Sequence, residues 1–241
     1  MIQFERQEKI IAILERKKSS SVRELSEELF TSEASIRRDI EALENRGLVK
    51  RVYGGVLLSR YQNGSVPIDL RDGDHSAAKE EIARRAAELV RDGDTIFLDA
   101  SSTVRRMMKY LGRRKHLKII THNLKIFEEY GGSNFELFCT GGTYSTVEQT
   151  LVGPAAENYL RAVSADLLFF SSQAISTDGE ITDSSEDETS LRRIMIARSA
   201  RQYFLCDDSK LGERRMFSVC HKDEITGIIC NTALPWETEK A

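Results

Sequence analysis

Residues 32–44 have the sequence SEASIRRDIEALE, which decides the fold of the first part of the chain. Ile36, Ile40 and Leu43 recur with the period of a helix and predict one buried face, and Ser32 before them is a good helix N-cap. At about 100° per residue, Arg38 lies on the opposite face. The remaining residues on that face are Ala34, Glu41 and Asn45. The segment therefore predicts a helix that buries one face and presents Arg38 to solvent.

Two helices are predicted before this one. Their buried stripes are expected at Phe4, Ile10, Ile11 and Leu14 and at Val22, Leu25 and Leu29. Ser21 is the expected N-cap of the second helix, and a short turn at Phe30-Thr31 joins it to the third. This order is a helix-turn-helix, in which the N-terminal turn of the last helix enters the major groove of DNA.

Residues 48–56, LVKRVYGGV, predict two short strands around a Gly-Gly turn, which would form a wing beside the third helix. We expect Arg38 to reach base edges, and the basic and hydroxyl groups around it to contact phosphates. The predicted DNA-binding residues are Ser32, Ser35, Arg37, Arg38, Lys50, Arg51, Tyr53 and Gly54. Three helices with a few arginines also suit a dimerisation or protein-docking module, so the pattern alone leaves that alternative open.

The charge balance of the 241 residues is a formal −3, which shows no global basic excess. Residues 1–60 carry 12 basic and 10 acidic side chains, whereas residues 61–241 carry 23 and 28. DNA contact requires only a local positive surface, so this balance does not exclude it. No apolar stretch predicts a membrane helix or a signal peptide, and we expect a cytoplasmic protein.

The cysteines and histidines predict neither disulfides nor a metal site. The four cysteines form no C-x-x-C pair and lie in apolar runs, so we expect them to be reduced and buried: Cys139, Cys206, Cys220 and Cys230. His75, His116 and His221 have no metal-like spacing, and we assign them no role. We predict no cofactor.

A polar stretch broken by Gly64 and Pro67 follows the wing and predicts a connector. Beyond it, helical patterns alternate with short apolar runs, which is typical of a doubly wound α/β domain with a mostly parallel sheet. Helices are predicted near residues 77–91, 103–111, 154–161 and 187–200. The predicted organisation is a winged helix-turn-helix domain at 1–56, a linker at 57–76 and an α/β domain at 77–241.

The motifs of both parts resemble those of DeoR-family transcriptional regulators. They include the run from Ser32 to Glu44, Arg51-Val52-Tyr53-Gly54-Gly55-Val56, Lys79-Glu80-Glu81-Ile82-Ala83, and the run from Gly93 to Thr103. The resemblance implies a second domain with the fold of ribose-5-phosphate isomerase and glucosamine-6-phosphate deaminase that senses a phosphorylated sugar. It implies a repressor of carbohydrate-metabolism genes. Because one wing and one helix cover a single half-site of an operator, we expect a homodimer or homotetramer.

Ligand sites in open α/β sheets gather at the carboxyl ends of strands. That rule, together with positions typical of the family, selects Asp99, Ser101, Ser102, Thr103, Thr121, Asn123, Gly141, Gly142, Glu188 and Lys210 as effector-binding residues. Each has a simpler alternative: helix caps, turns, a solvated lysine, and a surface i,i+4 ion pair between Glu188 and Arg192. Ser101 and Ser171-Ser172-Gln173 replace glycines that are usual in the family, so we expect an atypical or weakly bound effector.

The sequence thus predicts a DNA-binding regulator without enzymatic activity, which releases its operator when a phosphorylated sugar binds. An isomerase-like enzyme, with Asp99 and Lys210 as acid–base groups and an appended DNA-binding domain, is the alternative. A DNA-architectural or scaffold protein that responds to no ligand is a third possibility.

Overall fold

The computed structural model describes residues 2–17, 19–46, 48–52, 55–58, 75–145 and 148–238. The chain divides into two compact units, one ending at residue 74 and the other beginning at residue 75. The predicted DNA-binding residues Tyr53 and Gly54, and residues 59–74 of the predicted linker, lie outside the described residues. No helix in the described ranges has the length and apolar character needed to cross a bilayer.

The N-terminal unit contains the predicted helix-turn-helix and wing. Its elements are α1 Gln3–Lys17, β1 Ser19–Ser20, α2 Val22–Glu28, α3 Glu33–Asn45, β2 Val49–Val52 and β3 Gly55–Leu58. The strands form an antiparallel sheet in the order β1-β3-β2. Ser21 caps α2, with Glu24 completing a capping box, and Ser32 caps α3, which confirms both predicted N-caps. The short strand β1 was not predicted.

The core of this unit corrects two details of the prediction. Phe4 was expected in the buried stripe of α1 but is 60% exposed. The stripe begins one turn later, at Gln7. Leu57 and Leu58 were expected in the linker but are buried residues of β3. The apolar face of the wing therefore extends two residues beyond the predicted domain end.

A buried ion pair connects the first and third helices. The Asp39 carboxylate is fully buried, and the Arg6 guanidinium donates to both of its oxygens, with Nη2 3.2 Å from Oδ1. A buried carboxylate without a counter-charge is strongly destabilising, so this pair fixes α1 against α3.

The turn between α2 and α3 contains a strained residue. Phe30 has a φ of 50°, in the left-handed region, and its side chain is 96% exposed. This conformation costs a residue with a Cβ about 1–2 kcal/mol, and the greater freedom of glycine in the unfolded chain offsets part of the gain from replacing it. We expect Phe30→Gly to stabilise the N-terminal unit by up to about 1 kcal/mol, measured by calorimetry of the full chain.

Phe30→Ala is the matched control, because alanine removes the exposed ring and keeps the strained Cβ. We expect no stabilisation from Ala. Equal stabilisation by Gly and Ala would mean that the ring, and not the backbone conformation, is the source of the strain.

The C-terminal unit is built on a six-stranded parallel sheet in the order β14-β12-β9-β4-β5-β6. These strands are β4 Thr95–Leu98, β5 Lys118–Thr121, β6 Glu136–Cys139, β9 Ala165–Phe170, β12 Ser199–Cys206 and β14 Gly227–Cys230. The chain builds the sheet outward from β4 to β6, then returns to place β9 beside β4. The order therefore reverses between β4 and β9, which is where doubly wound folds bind ligands. The predicted fold class is confirmed.

Helices pack on both faces of this sheet. They are α4 Ser76–Glu88, α5 Ser102–Arg105, α6 Met108–Leu111, α7 Leu124–Tyr130, α8 Pro154–Ala162, α9 Glu186–Ala197 and α10 Pro235–Thr238. Ile96 and Leu98 of β4 join a core with α4 to α7, whereas Phe97 joins a second core with α8 and α9. Alternate strand residues thus supply two separate cores, as expected for a sheet buried on both faces.

Two antiparallel sheets, neither of which was predicted, complete the unit. One pairs β7 Thr143–Ser145 with β8 Thr150–Val152, and the other joins β10 Ala174–Ile175, β11 Glu180–Asp183 and β13 Phe217–His221. The prediction that all cysteines are buried is wrong for Cys139, which is exposed because β6 is the edge strand of the parallel sheet. The remaining three are buried, and all four are free thiols.

Candidate functional site

The N-terminal end of α3 is exposed and presents hydroxyl and guanidinium groups. The Ser32 hydroxyl accepts from the Ser35 N–H at 3.4 Å and lies 3.1 Å from the Ser35 hydroxyl. Arg38 is exposed and forms no ion pair with any described residue; its guanidinium donates only weakly, at 3.4 Å, to the Ala34 carbonyl and the Ser35 hydroxyl. Contacts this long are easily exchanged for contacts with a partner, so Arg38 is free to reach outward.

The wing is fixed to α3 by Arg51. Its backbone N–H donates to Glu44 at 2.8 Å, and its guanidinium pairs with the same carboxylate and donates to the Arg37 carbonyl at 3.1 Å. Lys50, the preceding residue, is exposed, and its side chain has no hydrogen bond or ion pair within the described ranges. Arg51 therefore positions the wing, while Lys50 offers an exposed positive charge beside the helix.

A groove of about 430 Å³ runs between the start of α2, the flank of α3 that carries Glu33 and Arg37, and the wing. Arg23, Arg37 and Arg51 line it, although Arg23 pairs with Glu27 and Arg37 pairs with Glu33 through exposed i,i+4 contacts. Exposed pairs of this kind are weak, so phosphates can compete for both arginines. Sequence reasoning missed Arg23, although its place two residues after the N-cap Ser21 put it beside the helix start.

In the C-terminal unit, Asp99 lies at the point where the strand order reverses. Its carboxylate is fully buried and accepts from the N–H groups of Ser101 and Ser171, both at 3.0 Å, and from Arg192 Nε at 2.9 Å. Asp99 thus ties the loop after β4 to the loop after β9 and to helix α9. All three hydrogen-bond donors to the Asp99 carboxylate are groups of the protein itself.

Arg192 is the centre of a buried ionic network. Its guanidinium also contacts Asp183 at 3.0 Å and Glu188 at 3.3 Å, and Glu188 in turn contacts His122 Nε2 at 3.1 Å and the Thr150 hydroxyl at 2.9 Å. Glu188 and Arg192 are each 3% exposed, so their interpretation as a surface ion pair is wrong.

The sequence carried a signal of this burial. Glu188 and Arg192 share a helical face with the apolar residues Leu191 and Met195, both of which are fully buried. Positions i, i+3, i+4 and i+7 form one stripe of a helix, and a charged pair within an apolar stripe belongs to the core.

The charge of Glu188 makes the stability of this unit depend on pH. Burial alone would raise the pKa of Glu188, but His122 and then Arg192 outweigh it and lower the pKa from 4.5 to about 2. The ionised form therefore stabilises the folded state; this stabilisation is complete above pH 4.5 and is lost as the pH falls towards 2. By pH 3 we expect a loss of about 2 kcal/mol from this group.

Glu188→Gln removes the titrating group and should flatten this dependence. We expect the variant to be less stable than the parent at pH 6 and to lose less stability between pH 6 and pH 3. Urea unfolding followed by the fluorescence of Trp236, the only tryptophan of the chain, measures this difference. Parallel losses in both proteins would contradict the assignment, since every other carboxyl group is common to them.

Lys210 supplies a positive charge at the end of β12. Its Nζ donates to the Ser171 hydroxyl at 2.6 Å, and that hydroxyl donates to the Leu205 carbonyl at 2.6 Å. Burial tends to raise the pKa of the adjacent Asp207 carboxyl, but Lys210 and the Ser209 hydroxyl lower it below its ordinary value. The loops after β9 and β12 therefore meet at a partly buried lysine.

The loop after β4 contains a helix cap and an orphan hydroxyl. Ser101 caps the short helix α5 by accepting from the Val104 N–H at 3.2 Å, as the simpler alternative proposed. Ser102 and Thr103 behind it are buried, and Thr103 Oγ1 has no hydrogen-bond partner among the described residues. A buried hydroxyl without a partner is costly, which makes it a candidate contact for a bound ligand.

The loops after β5 and β6 are held by local contacts. Asn123 caps α7 through the Lys125 N–H at 3.0 Å and donates to the Ala100 carbonyl at 3.3 Å, while the Thr121 hydroxyl accepts from the Asn123 N–H. Gly141 and Gly142 both have positive φ, and a Cβ at Gly142 would lie 2.6 Å from the Val152 carbonyl oxygen. A turn that only glycine can make therefore explains Gly142.

Two further residues, to which the sequence assigned no role in a site, lie near the end of β12. His75 was given no role, yet its imidazole lies within 4.8 Å of carboxylate oxygens of Asp207 and Asp208. Lys79, from α4, is 5% exposed and contributes to lowering the pKa of Asp207. Helix α4 thus brings charge to the edge that carries Lys210, and the two lysines offset the acidic groups there.

Both units match known protein families. The model of the DeoR-like helix-turn-helix domain matches residues 6–61, and that of the DeoR C terminal sensor domain matches residues 74–232. The HTH-type transcriptional regulator GolR of Listeria innocua is 34% identical over 235 residues, covering 97% of this chain and 92% of that protein.

The lactose phosphotransferase system repressor of Staphylococcus aureus is 29% identical over 233 residues, covering 95% of this chain and 92% of that protein. Among solved structures, ribose 5-phosphate isomerase A of Methanocaldococcus jannaschii is 19% identical, covers 57% of this chain and 55% of its own, and has a TM-score of 0.42.

Proposed function

This chain belongs to the DeoR family of transcriptional regulators, and we propose that it represses carbohydrate-metabolism genes and leaves its operator when a phosphorylated sugar binds the C-terminal unit. The observation that carries the proposal is the exposed start of α3, where Arg38 stands beside Ser32 and Ser35 without an ionic partner among the described residues. A guanidinium in that position reads guanine edges in the major groove.

The DNA-binding surface combines base and phosphate contacts. Arg38 is the base reader, whereas Lys50 of the wing and Arg37 on the flank of α3 bind phosphates. Arg51 holds the wing against α3 through its contacts with Glu44, so it contributes to DNA binding both by positioning the wing and by its positive charge. A repressor of this design covers one half-site per chain, and we propose a homodimer or homotetramer for the full operator.

The effector site is proposed at the strand ends around Lys210. Supporting it are the reversal of strand order between β4 and β9, the partly buried Lys210 ammonium, and the orphan Thr103 hydroxyl. The Ser171 hydroxyl already accepts a hydrogen bond from Lys210, so a phosphate must compete with it. This competition explains physically the expectation of a weakly bound or atypical effector.

Binding shifts the regulator between two arrangements. A sugar phosphate that binds more tightly to the arrangement unable to bind DNA lowers the operator affinity. The reduction is limited by the ratio of the sugar phosphate's affinities for the two arrangements, and operator DNA lowers the affinity for the sugar phosphate by the same factor.

The test begins with a thermal-shift screen of pentose and hexose phosphates, followed by operator release measured with DNA selected from a random pool. A ligand at 100 times its Kd stabilises by about 2.7 kcal/mol, which corresponds to roughly 5–10 °C.

Lys210→Met should abolish the thermal shift by the best ligand. Lys118→Met is the matched control, because Lys118 is exposed at the amino end of β5, on the opposite edge of the same sheet, and we expect it to keep the full shift. If no phosphorylated sugar raises the melting temperature, or if Lys210→Met responds like the parent, the effector assignment is wrong.

The alternative of an isomerase-like enzyme uses Asp99 as a general base. The buried Asp99 carboxylate instead accepts from two backbone N–H groups and from Arg192, which keeps it bound to the protein and away from a substrate proton. We propose binding without turnover. Incubation with the same sugar phosphates checks this, and conversion above background would restore the enzyme.

A further inference from the structure

Two cysteines lie side by side where strands β12 and β14 end. Cys206 and Cys230 are the last residues of these neighbouring parallel strands and are direct register partners. Adjacent strands lie about 4.8 Å apart, which is within the Cα separation of about 4.4–6.8 Å that a disulfide requires. Both side chains contribute to the same core, on the same face of the sheet.

The surroundings make the two thiols chemically unequal. Their mutual interaction lowers the pKa of Cys230 to about 7 and raises that of Cys206. The Cys230 sulfur also lies 3.6 Å from the Asn231 side-chain oxygen. Backbone N–H groups of Asn231 and Thr232 also favour the Cys230 thiolate. Cys206 is fully buried, whereas Cys230 is 6% exposed, so a small oxidant meets Cys230 first. A nucleophilic thiol beside a second thiol is the arrangement of a resolving pair.

We propose that Cys206 and Cys230 form a reversible intramolecular disulfide when the protein meets a hydroperoxide. Its position is next to the proposed effector site, since Cys206 precedes the loop of Lys210. The two strand ends are already joined by Asn231, whose side chain accepts from the Asp208 N–H and donates to the Asp208 carboxylate, both at 3.0 Å. The disulfide would make this connection covalent.

The reaction balances with hydrogen peroxide as the oxidant. The Cys230 thiolate attacks one peroxide oxygen, the O–O bond breaks and hydroxide leaves, so Cys230 becomes a sulfenic acid. The Cys206 sulfur then attacks the sulfenic sulfur: the S–S bond forms, the S–O bond breaks, and the departing hydroxide takes the thiol proton and leaves as water. The two sulfurs together lose two electrons, which the peroxide gains, and the hydroxide takes the proton released when Cys230 ionised.

Tryptic peptides of the wild-type chain test this directly, because each cysteine falls in a different peptide: 126–161, 202–210, 216–222 and 223–240. The native protein is treated with hydrogen peroxide, alkylated in denaturant and digested without reductant. We expect the alkylated peptides 202–210 and 223–240 to be lost and a linked pair to appear, two hydrogen masses below the sum of the two unalkylated peptides. Dithiothreitol should restore both.

Two variants separate the proposal from other oxidation. Cys139→Ser removes the exposed thiol and should leave the linked pair unchanged, whereas Cys230→Ser should abolish it and leave Cys206 alkylated. The proposal is overturned if the native protein yields no 202–210/223–240 pair, or if either peptide links equally to 216–222. It also fails if the pair forms only after the protein is unfolded. None of these outcomes depends on the proposed repressor function.

Discussion

Replacing Arg192 with methionine should destabilise the C-terminal unit by about 3–5 kcal/mol, the cost typical of removing one partner from a buried ionic network. The side chain is 4% exposed and contacts the carboxylates of Asp99, Asp183 and Glu188 at 2.9–3.3 Å. Methionine fills a similar volume but leaves these buried carboxylates without a cation. Urea unfolding followed by Trp236 fluorescence measures the loss.

Arg161→Met is the matched control for this prediction. Arg161 also pairs with a glutamate four residues earlier, Glu157 at 2.8 Å, but its side chain is 54% exposed. An exposed pair of this type is worth only about 0.3–0.5 kcal/mol, so the control should unfold almost like the parent. A loss at Arg192 as small as that at Arg161 would mean that the network is solvated and does not hold α9 to the strand ends.

Arg38→Ala should lower operator affinity by about 1–3 kcal/mol, or roughly 5- to 150-fold, and relax the base preference at one position of each half-site. The reason is that the exposed Arg38 guanidinium has no ionic partner in the described part of the chain and stands at the start of α3, where base edges are within reach. Fluorescence anisotropy with operator and base-substituted DNA measures both effects.

Lys50→Ala provides the contrast, since a phosphate contact carries no base information. It should weaken all DNA sequences alike and reduce the slope of log affinity against log salt by about 1. Arg16→Ala, on α1 and paired with Glu28, is the control expected to leave both unchanged. If Arg38→Ala and Lys50→Ala both bind operator like the parent, α3 and the wing are not the DNA-binding surface.

Much of the fold follows from local patterns. The apolar period in α3 and the N-caps Ser21 and Ser32 predicted the helix-turn-helix, because a helix face and its cap are set by residues within one or two turns. The parallel sheet was predicted from the alternation of helical patterns with short apolar runs. The antiparallel sheets of the C-terminal unit were missed because their strands have only two to five residues and carry little pattern of their own.

The candidate sites divide in the same way. Arg38 is exposed where the helical period placed it, since exposure on an amphipathic element follows from its period. Two partners of Asp99 were beyond reach of any local rule: Ser171 and Arg192 lie 72 and 93 residues away in the chain. Contacts made across a sheet depend on the order of its strands, and local sequence patterns do not reveal that order.

The sequence by itself determined two domains, an amphipathic third helix with Arg38 outward, and a parallel sheet whose strand ends carry hydroxyls, carboxylates and Lys210. Only the tertiary structure decided which of those groups remain available. It buried Glu188 and Arg192 in one ionic network with Asp99, joined Lys210 to Ser171, and set Cys206 beside Cys230. The physical reason is that period and capping act within an element, whereas burial, pairing and pKa are set by neighbours that only the order of strands brings together.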